Sequence, residues 1–153
     1  MGTNSVRGRW LRSPWIRWLP VILWCAVIFY ATSSPAYTGQ HTGQVVGEVL
    51  PAASHTTVAL LNVVIRKTTH VMAFGLLAGL TWWAMGAGHG GTAVRRAAWA
   101  WGFATLYAAS DEFHQLFAPG RTAELRDVLL DSVAALFVVT LLTVAARWRA
   151  QKS

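Results

Sequence analysis

The chain has 153 residues, of which 54% are hydrophobic and 12% charged, with a net charge of +7. Soluble domains carry about 25% charged residues, so this composition argues against an ordinary soluble globular domain. Long apolar runs separate the basic residues, which disfavours nucleic acid as the partner and favours a lipid bilayer. The single cysteine, Cys25, lies inside an apolar run and gives no basis for a disulfide.

Four stretches approach the ~20 apolar residues that a helix needs to cross the hydrocarbon core of a bilayer. They lie at about 15–33, 68–86, 97–117 and 127–146. The first stretch also fits a signal peptide, because arginines precede it and small residues follow it. The predicted fold is an all-α membrane protein, a four-transmembrane-helix bundle.

The basic residues set the predicted orientation. Nine of the 13 fall in the N-terminal arm, the loop at 87–96 and the C-terminal tail, which share one side when four spans alternate. Eight of the nine tryptophans fall near the same boundary, where an indole is favoured. Both termini are therefore expected in the cytoplasm, with a basic arm at 1–14, the membrane domain at 15–146 and a basic tail at 147–153.

This orientation places the loop at 34–66 outside the cell. Its apolar part at 55–65 either lies along the membrane interface or extends the second span outward. The residues alone do not choose between these two arrangements.

All six carboxylates fall outside or in the outer third of the membrane. At ~1.5 Å per residue, Asp111 lies roughly 21 Å along the third span, at a depth similar to that of His70 and Asp131 in two other spans. Charged groups in a membrane cost up to ~2.5–3.5 kcal/mol, so they should face the bundle interior and find partners. The candidate polar pocket comprises Lys67, His70, Asp111, Glu112, Gln115, Arg121, Asp127 and Asp131.

Three interpretations of this pocket stay open. In the first, the pocket residues only interlock the helices by salt bridges and hydrogen bonds, with Asp127 as a cap of the fourth helix. A site for a ligand or lipid headgroup accounts for the concentration of so many charges in one patch. Catalysis would use His70 or His114 as a general base, but Ser110 lacks a G-x-S-x-G elbow and no catalytic residue is assigned.

No cofactor is expected from a sequence motif. A divalent cation is conceivable at the carboxylates Asp111, Glu112, Asp127 and Asp131, because oxygen ligands suit Mg²⁺ or Ca²⁺. The sequence therefore assigns no residue as a metal ligand.

Four ordered motifs carry a family resemblance. They are residues 28–34 (IFYATSS), Lys67-x-x-His70, residues 110–121 (SDEFHQLFAPGR) and Asp127-x-x-x-Asp131. Their order resembles the VanZ-like family over roughly residues 20–146, and the string DE-x-x-Q-x-F-x-PGR is the specific part. The resemblance implies a small multi-pass protein of the bacterial cytoplasmic membrane.

The founding member of that family is associated with low-level resistance to the glycopeptide teicoplanin, but the family implies no established chemistry. Many members have Glu-Tyr where this chain has Ala73-Phe74, so an acid and a hydroxyl are missing here. Glycines that are common in the last helix are replaced by Ala134 and Ala135, which still permit close helix packing.

Three functions follow as hypotheses. The first is a non-enzymatic envelope factor that binds a lipid-linked cell-wall precursor or the glycopeptide itself, with Lys67, Arg121 and Arg126 on phosphate or carboxylate. The second is a membrane-embedded hydrolase or transferase that acts on such a lipid. The third is a structural, transport or assembly subunit, whose oligomeric state the sequence does not give.

Overall fold

The computed structural model describes residues 14–34, 38–86, 92–117 and 123–152, and within them the chain is all-helical, as predicted. The helices are α1 (Leu19–Ser33), α2 (Gly39–Val49), α3 (His55–Ala84), α4 (Ala93–Gln115) and α5 (Leu125–Ala150). A 3-10 turn at Pro14–Trp18 leads into α1.

Hydroxyl side chains cap three of these helices. Thr38 precedes α2, Ser54 precedes α3 and Thr92 precedes α4. Each accepts a hydrogen bond from the backbone N–H three residues later, which satisfies one of the donors that a helix leaves open at its start. The cap at Ser54 shows that the segment 55–65 is part of the second apolar helix and extends it.

Helix α3 is therefore longer than the span predicted at 68–86. Its 30 residues correspond to ~45 Å, more than the ~30 Å of a hydrocarbon core. The extra length holds α2, a helix that the sequence pattern did not predict. Asn62 on α3 donates to the carbonyl of Gly39 at 2.8 Å, and a Cβ at Gly43 would lie 3.3 Å from the same amide nitrogen, so α2 packs closely here.

Three helices among the described residues are long and apolar enough to cross a membrane. They are Trp15–Ser33, His55–Ala84 and Leu125–Ala150, with mean hydropathies of 1.5, 1.3 and 2.4. The remaining predicted span, α4, has 23 residues, a sufficient length of ~35 Å. It is less apolar because it is rich in alanine and tryptophan and carries charged residues near both ends.

Helices α3 and α4 both pack along α5, and the contact between α3 and α4 is smaller. One face of α4 presents Ala100, Ala104 and Ala108 at successive turns, all buried. Gly75 on α3 comes equally close to α5, since a Cβ there would lie 3.2 Å from Cγ2 of Val138. Small side chains thus let three helix backbones approach closely, which is typical of helix packing in membranes.

Helix α1 is attached to the other helices through their side chains and carbonyl groups. The indole of Trp24 donates to the carbonyl oxygen of Ala73 on α3 at 2.9 Å. The hydroxyl of Tyr107 on α4 donates to the carbonyl oxygen of Cys25 at 2.7 Å. These two bonds fix the depth of α1 against α3 and α4.

Arginine and tryptophan meet at one end of the bundle. Arg17 lies over the ring of Trp83 at 4.3 Å, and Arg96 lies over Trp82 at 4.5 Å. These pairs bring together the 3-10 turn before α1, the end of α3 and the start of α4. We call this the basic end. Helix α3 ends here and α4 begins here, so the two helices run antiparallel. Helix α5 begins at the other end, where Asp127 meets Lys67, so it runs parallel to α3.

Candidate functional site

The opposite end of the bundle holds a group of charged and amide side chains. We call it the polar cluster: Lys67 and His70 on α3, Asp111, Glu112 and Gln115 on α4, and Asp127 and Asp131 on α5. The three aspartates, the glutamate and the glutamine are all buried. The structure thus brings together seven of the eight residues of the predicted pocket, while Arg121 lies outside the described residues.

Two contacts one helical turn apart join α3 to α5. Lys67 forms a salt bridge with Asp127, and Nδ1 of His70 lies 3.3 Å from Oδ2 of Asp131. The i, i+3 spacing on α3 and the i, i+4 spacing on α5 put each pair of residues on one helix face. The pair of Lys67 and Asp127 is partly exposed, whereas only 1% of the Asp131 side chain is accessible.

Asp111 is held on both carboxylate oxygens. The hydroxyl of Thr32, from α1, donates to Oδ1 at 2.6 Å, and the amide of Gln115 donates to Oδ2 at 2.8 Å. Gln115 follows Asp111 by one turn of α4, so this second bond comes from local helix geometry. The first bond requires the packing of α1 against α4.

Glu112 links the end of α4 to the start of α5. Its Oε2 accepts the backbone N–H of Glu124 at 2.8 Å, and its Oε1 lies 3.3 Å from the amide nitrogen of Gln115. Gln115 therefore contacts both acids of the Asp-Glu pair. This arrangement fixes two adjacent carboxylates in one orientation.

Three side chains of the polar cluster have the spacing of a metal site. One ring nitrogen of His70 and one oxygen each of Asp111 and Glu112 lie within 4.8 Å of one another. The geometry differs from the set of four carboxylates suggested by the sequence, because Asp127 instead pairs with Lys67.

A cavity of about 330 Å³ lies between α1, α2 and α3. Its lining is mixed, with apolar and polar residues: Ile28, Ala31, Ile65, Ala73, Phe74, Thr32, Thr42, Arg66, Thr69 and His70. His70 and Thr32 also contact the buried acids, so one wall of the cavity is continuous with the polar cluster. A smaller cavity of about 200 Å³ is lined by Arg66, Lys67, His70 and Asp127, among others.

Sequence reasoning missed Thr32 and Arg66 as site residues. Thr32 belongs to the motif IFYATSS, but the pattern could not show that its hydroxyl faces a carboxylate of another helix. Arg66 directly precedes Lys67 and lines both cavities. His114, the alternative base, instead packs against Phe29 in a tilted arrangement, with ring centroids 4.7 Å apart.

Apolar helices of spanning length and a buried polar cluster at one end of the bundle define a helical membrane protein. The model of the VanZ/LLP1 family matches residues 17–146, so the chain belongs to that family, as its motifs predicted. No curated protein and no solved structure matches the chain. All four motifs fall within the matched segment, and each contributes a residue to the polar cluster or its contacts.

Proposed function

We propose that this protein binds the anionic headgroup of a lipid-linked cell-wall precursor, and so lowers the susceptibility of its host to glycopeptides such as teicoplanin. It does so as a four-span protein of the bacterial cytoplasmic membrane, with both termini inside and the polar cluster outside. The observation that carries this proposal is the cavity that joins an apolar wall to Arg66 and His70.

The lining of the cavity suits an amphipathic ligand. Ile28, Ile65 and Phe74 offer contacts for a hydrocarbon chain, and Arg66 and His70 offer donors for phosphate oxygens. The volume of about 330 Å³ lies at the lower end of the ~300–1,000 Å³ of ligand pockets, which fits the phosphate part of a headgroup and the adjoining chain rather than a whole lipid. Ala73 and Phe74 line this wall, and no carboxylate among the lining residues would repel an anion.

Charge and aromatic residues support the orientation. The pairs of arginine and tryptophan gather at the basic end, where cytoplasmic positive charge and interfacial indoles are expected. The fourth span is α4, whose charged residues lie near its two ends and whose alanine face packs inside the bundle. The cluster of acids then faces the outer leaflet, where lipid-linked precursors are exposed to glycopeptides.

The test compares teicoplanin susceptibility and lipid binding for the wild type, Arg66→Gln and Asp111→Asn at equal membrane levels. Expression of the wild type should reduce susceptibility, and both variants should lose that effect. Arg66→Gln should weaken binding of an undecaprenyl-diphosphate-linked ligand about tenfold, equivalent to ~1.4 kcal/mol for one charge-assisted contact.

Arg126→Gln is the matched control for Arg66→Gln. The sequence offered Arg126 as a contact for phosphate, but it is exposed on α5 and lines neither cavity, so its replacement should leave susceptibility and binding unchanged. Equal susceptibility of hosts with and without the wild-type protein would contradict the resistance role. Unaltered lipid binding by a folded Arg66→Gln variant would contradict the site.

One observation favours the second candidate function, a membrane-embedded hydrolase or transferase. Asp131 is positioned to orient His70 through its Nδ1, as a carboxylate orients the general base in many hydrolases. Release of phosphate or of the headgroup during the lipid-binding assay, abolished by His70→Gln, would support catalysis over binding alone.

A further inference from the structure

Three buried carboxylates share very little positive charge. Asp111, Glu112 and Asp131 each expose 6% or less of their surface. Within the described residues, Lys67 forms its salt bridge with Asp127, and His70 is the basic side chain that contacts one of these three acids directly. With all three carboxylates ionised, even a protonated His70 would leave two negative charges uncompensated, and buried acids are normally paired, protonated or bound to a metal.

The donor atoms are close to the geometry of a metal site. Ligands that lie ~2.1 Å from a tetrahedral ion stand ~3.4 Å from each other. The nitrogen of His70 and the oxygens of Asp111 and Glu112 already lie within 4.8 Å of one another. Side-chain rotations that shorten these separations by up to ~1.4 Å would bring all three onto a single ion.

The surrounding groups hold these donors in place. Asp131 contacts Nδ1 of His70, which leaves Nε2 as the ring nitrogen for a ligand. Thr32 and Gln115 hold the carboxylate of Asp111. A metal-binding histidine commonly donates its other ring N–H to a carboxylate, and metal-binding carboxylates are themselves hydrogen-bonded.

Asp131 supplies an independent sign that the group is incomplete. Its Oδ1 is buried and has no hydrogen-bond partner among the described residues. The residue is close enough to His70, Asp111 and Glu112 to interact electrostatically with all three. An ion held by His70, Asp111 and Glu112 would place a positive charge near this unpartnered carboxylate oxygen.

We infer that His70, Asp111 and Glu112 bind a divalent transition-metal cation, and that Asp131 positions His70 for it. One imidazole nitrogen with two carboxylate oxygens suits Zn²⁺ or Mn²⁺ better than Mg²⁺ or Ca²⁺, which prefer oxygen ligands alone. The site does not depend on the proposed lipid binding, since the ion binds without a lipid. It also gives a phosphate oxygen a cation to approach where bare carboxylates would repel it.

The test measures metal binding to the full-length protein in nanodiscs that contain only zwitterionic lipid. The protein is stripped with chelator, dialysed against Zn²⁺ or Mn²⁺, and its metal content and dissociation constant are determined. The wild type should bind one ion, and Asp111→Asn, Glu112→Gln and His70→Gln should each weaken binding at least ~100-fold. Asp131→Asn should weaken it ~10–100-fold, the usual loss for a group that orients a ligand.

Asp127→Asn is the matched control, because Asp127 is a buried carboxylate of the same cluster that pairs with Lys67 instead. It should retain the metal. Circular dichroism and size-exclusion profiles establish that each variant is folded. Absence of Zn²⁺ and Mn²⁺ binding by the folded wild type would overturn the inference, as would equal losses in Asp127→Asn and in the ligand variants. Loss of metal without loss of lipid binding would separate this site from the proposed function.

Discussion

Thr32 supplies a hydrogen-bond donor to a buried carboxylate of another helix. Its side chain reaches from α1 to Oδ1 of Asp111 at 2.6 Å, and both residues are buried. Loss of a hydrogen bond to a buried charged group is costly because no water takes the place of the missing donor. At the scale of the residue, α1 is therefore part of the site and does not merely cover the bundle.

Thr32→Val should destabilise the protein by ~1–3 kcal/mol, because the isosteric change leaves an oxygen of Asp111 buried without its donor. The measurement is the thermal unfolding midpoint in detergent, followed by size-exclusion chromatography of the remaining folded protein. Thr140→Val is the control, since the hydroxyl of Thr140 is exposed and bonds only to Leu136 in its own helix. Equal midpoints for the two variants would contradict the role of Thr32.

Individual residues of the cluster differ in how far sequence could identify them. The pairs Lys67 with His70 and Asp127 with Asp131 are evident from helical spacing, since each pair shares one helix face. Their partners are not evident, because the pairing depends on the register of α3 against α5. The sequence grouped Asp127 with three other carboxylates at which a divalent cation is conceivable, and in the structure Lys67 contacts it.

The contact between α3 and α5 determines that register at the scale of helices. Gly75 sits where a Cβ would lie 3.2 Å from Cγ2 of Val138 and 3.9 Å from the carbonyl oxygen of Ala134. Close backbone approach replaces side-chain burial as the source of stability between helices in lipid. The same register places Lys67 of α3 beside Asp127 of α5 at the end of the bundle that holds the polar cluster.

Gly75→Leu should separate α3 from α5 and cost ~1–3 kcal/mol, the usual range for overpacking a close contact. The experiment compares its unfolding midpoint and metal affinity with those of Gly102→Leu. Gly102 lies on α4, and a Cβ there would meet nothing within 4 Å, so that variant should stay close to the wild type. A midpoint of Gly75→Leu at or above that of Gly102→Leu would contradict the close contact.

Helices differ in how readily sequence predicts them. The first, second and fourth apolar runs are evident from composition, and α1, α3 and α5 overlap them, although α3 begins already at His55. Helix α2 escaped prediction because it is amphipathic, short and rich in glycine, and its position depends on its contact with Asn62 of α3. Helix α4 was predicted from length, although its alanines and charged ends keep its apolarity low.

The whole molecule has two chemically opposed ends. Arg17 and Arg96 stack on tryptophans at one end, and the buried acids lie at the other. In a bilayer, positive charge is retained on the cytoplasmic side. The separation of charge along the bundle therefore predicts that the polar cluster faces outward.

Cysteine labelling tests this orientation in intact cells. In a Cys25→Ser background, Glu48→Cys on α2 should react with a membrane-impermeant maleimide, because α2 lies at the end of the bundle that holds the polar cluster. Lys152→Cys, after α5, should react only once the cells are permeabilised. The reverse pattern would place the acids in the cytoplasm and remove the basis for binding an outer-leaflet precursor.

The sequence by itself determined the helical membrane class, the family and the set of polar residues that belong together. These follow from local properties: apolar runs, helical spacing and the motifs shared with VanZ/LLP1 proteins. Tertiary structure alone decided which acid forms a salt bridge with Lys67, that Thr32 donates a hydrogen bond to Asp111, and that Arg66 and His70 line a cavity. Those contacts join distant parts of the chain, so they depend on helix register and close packing, which no single segment encodes.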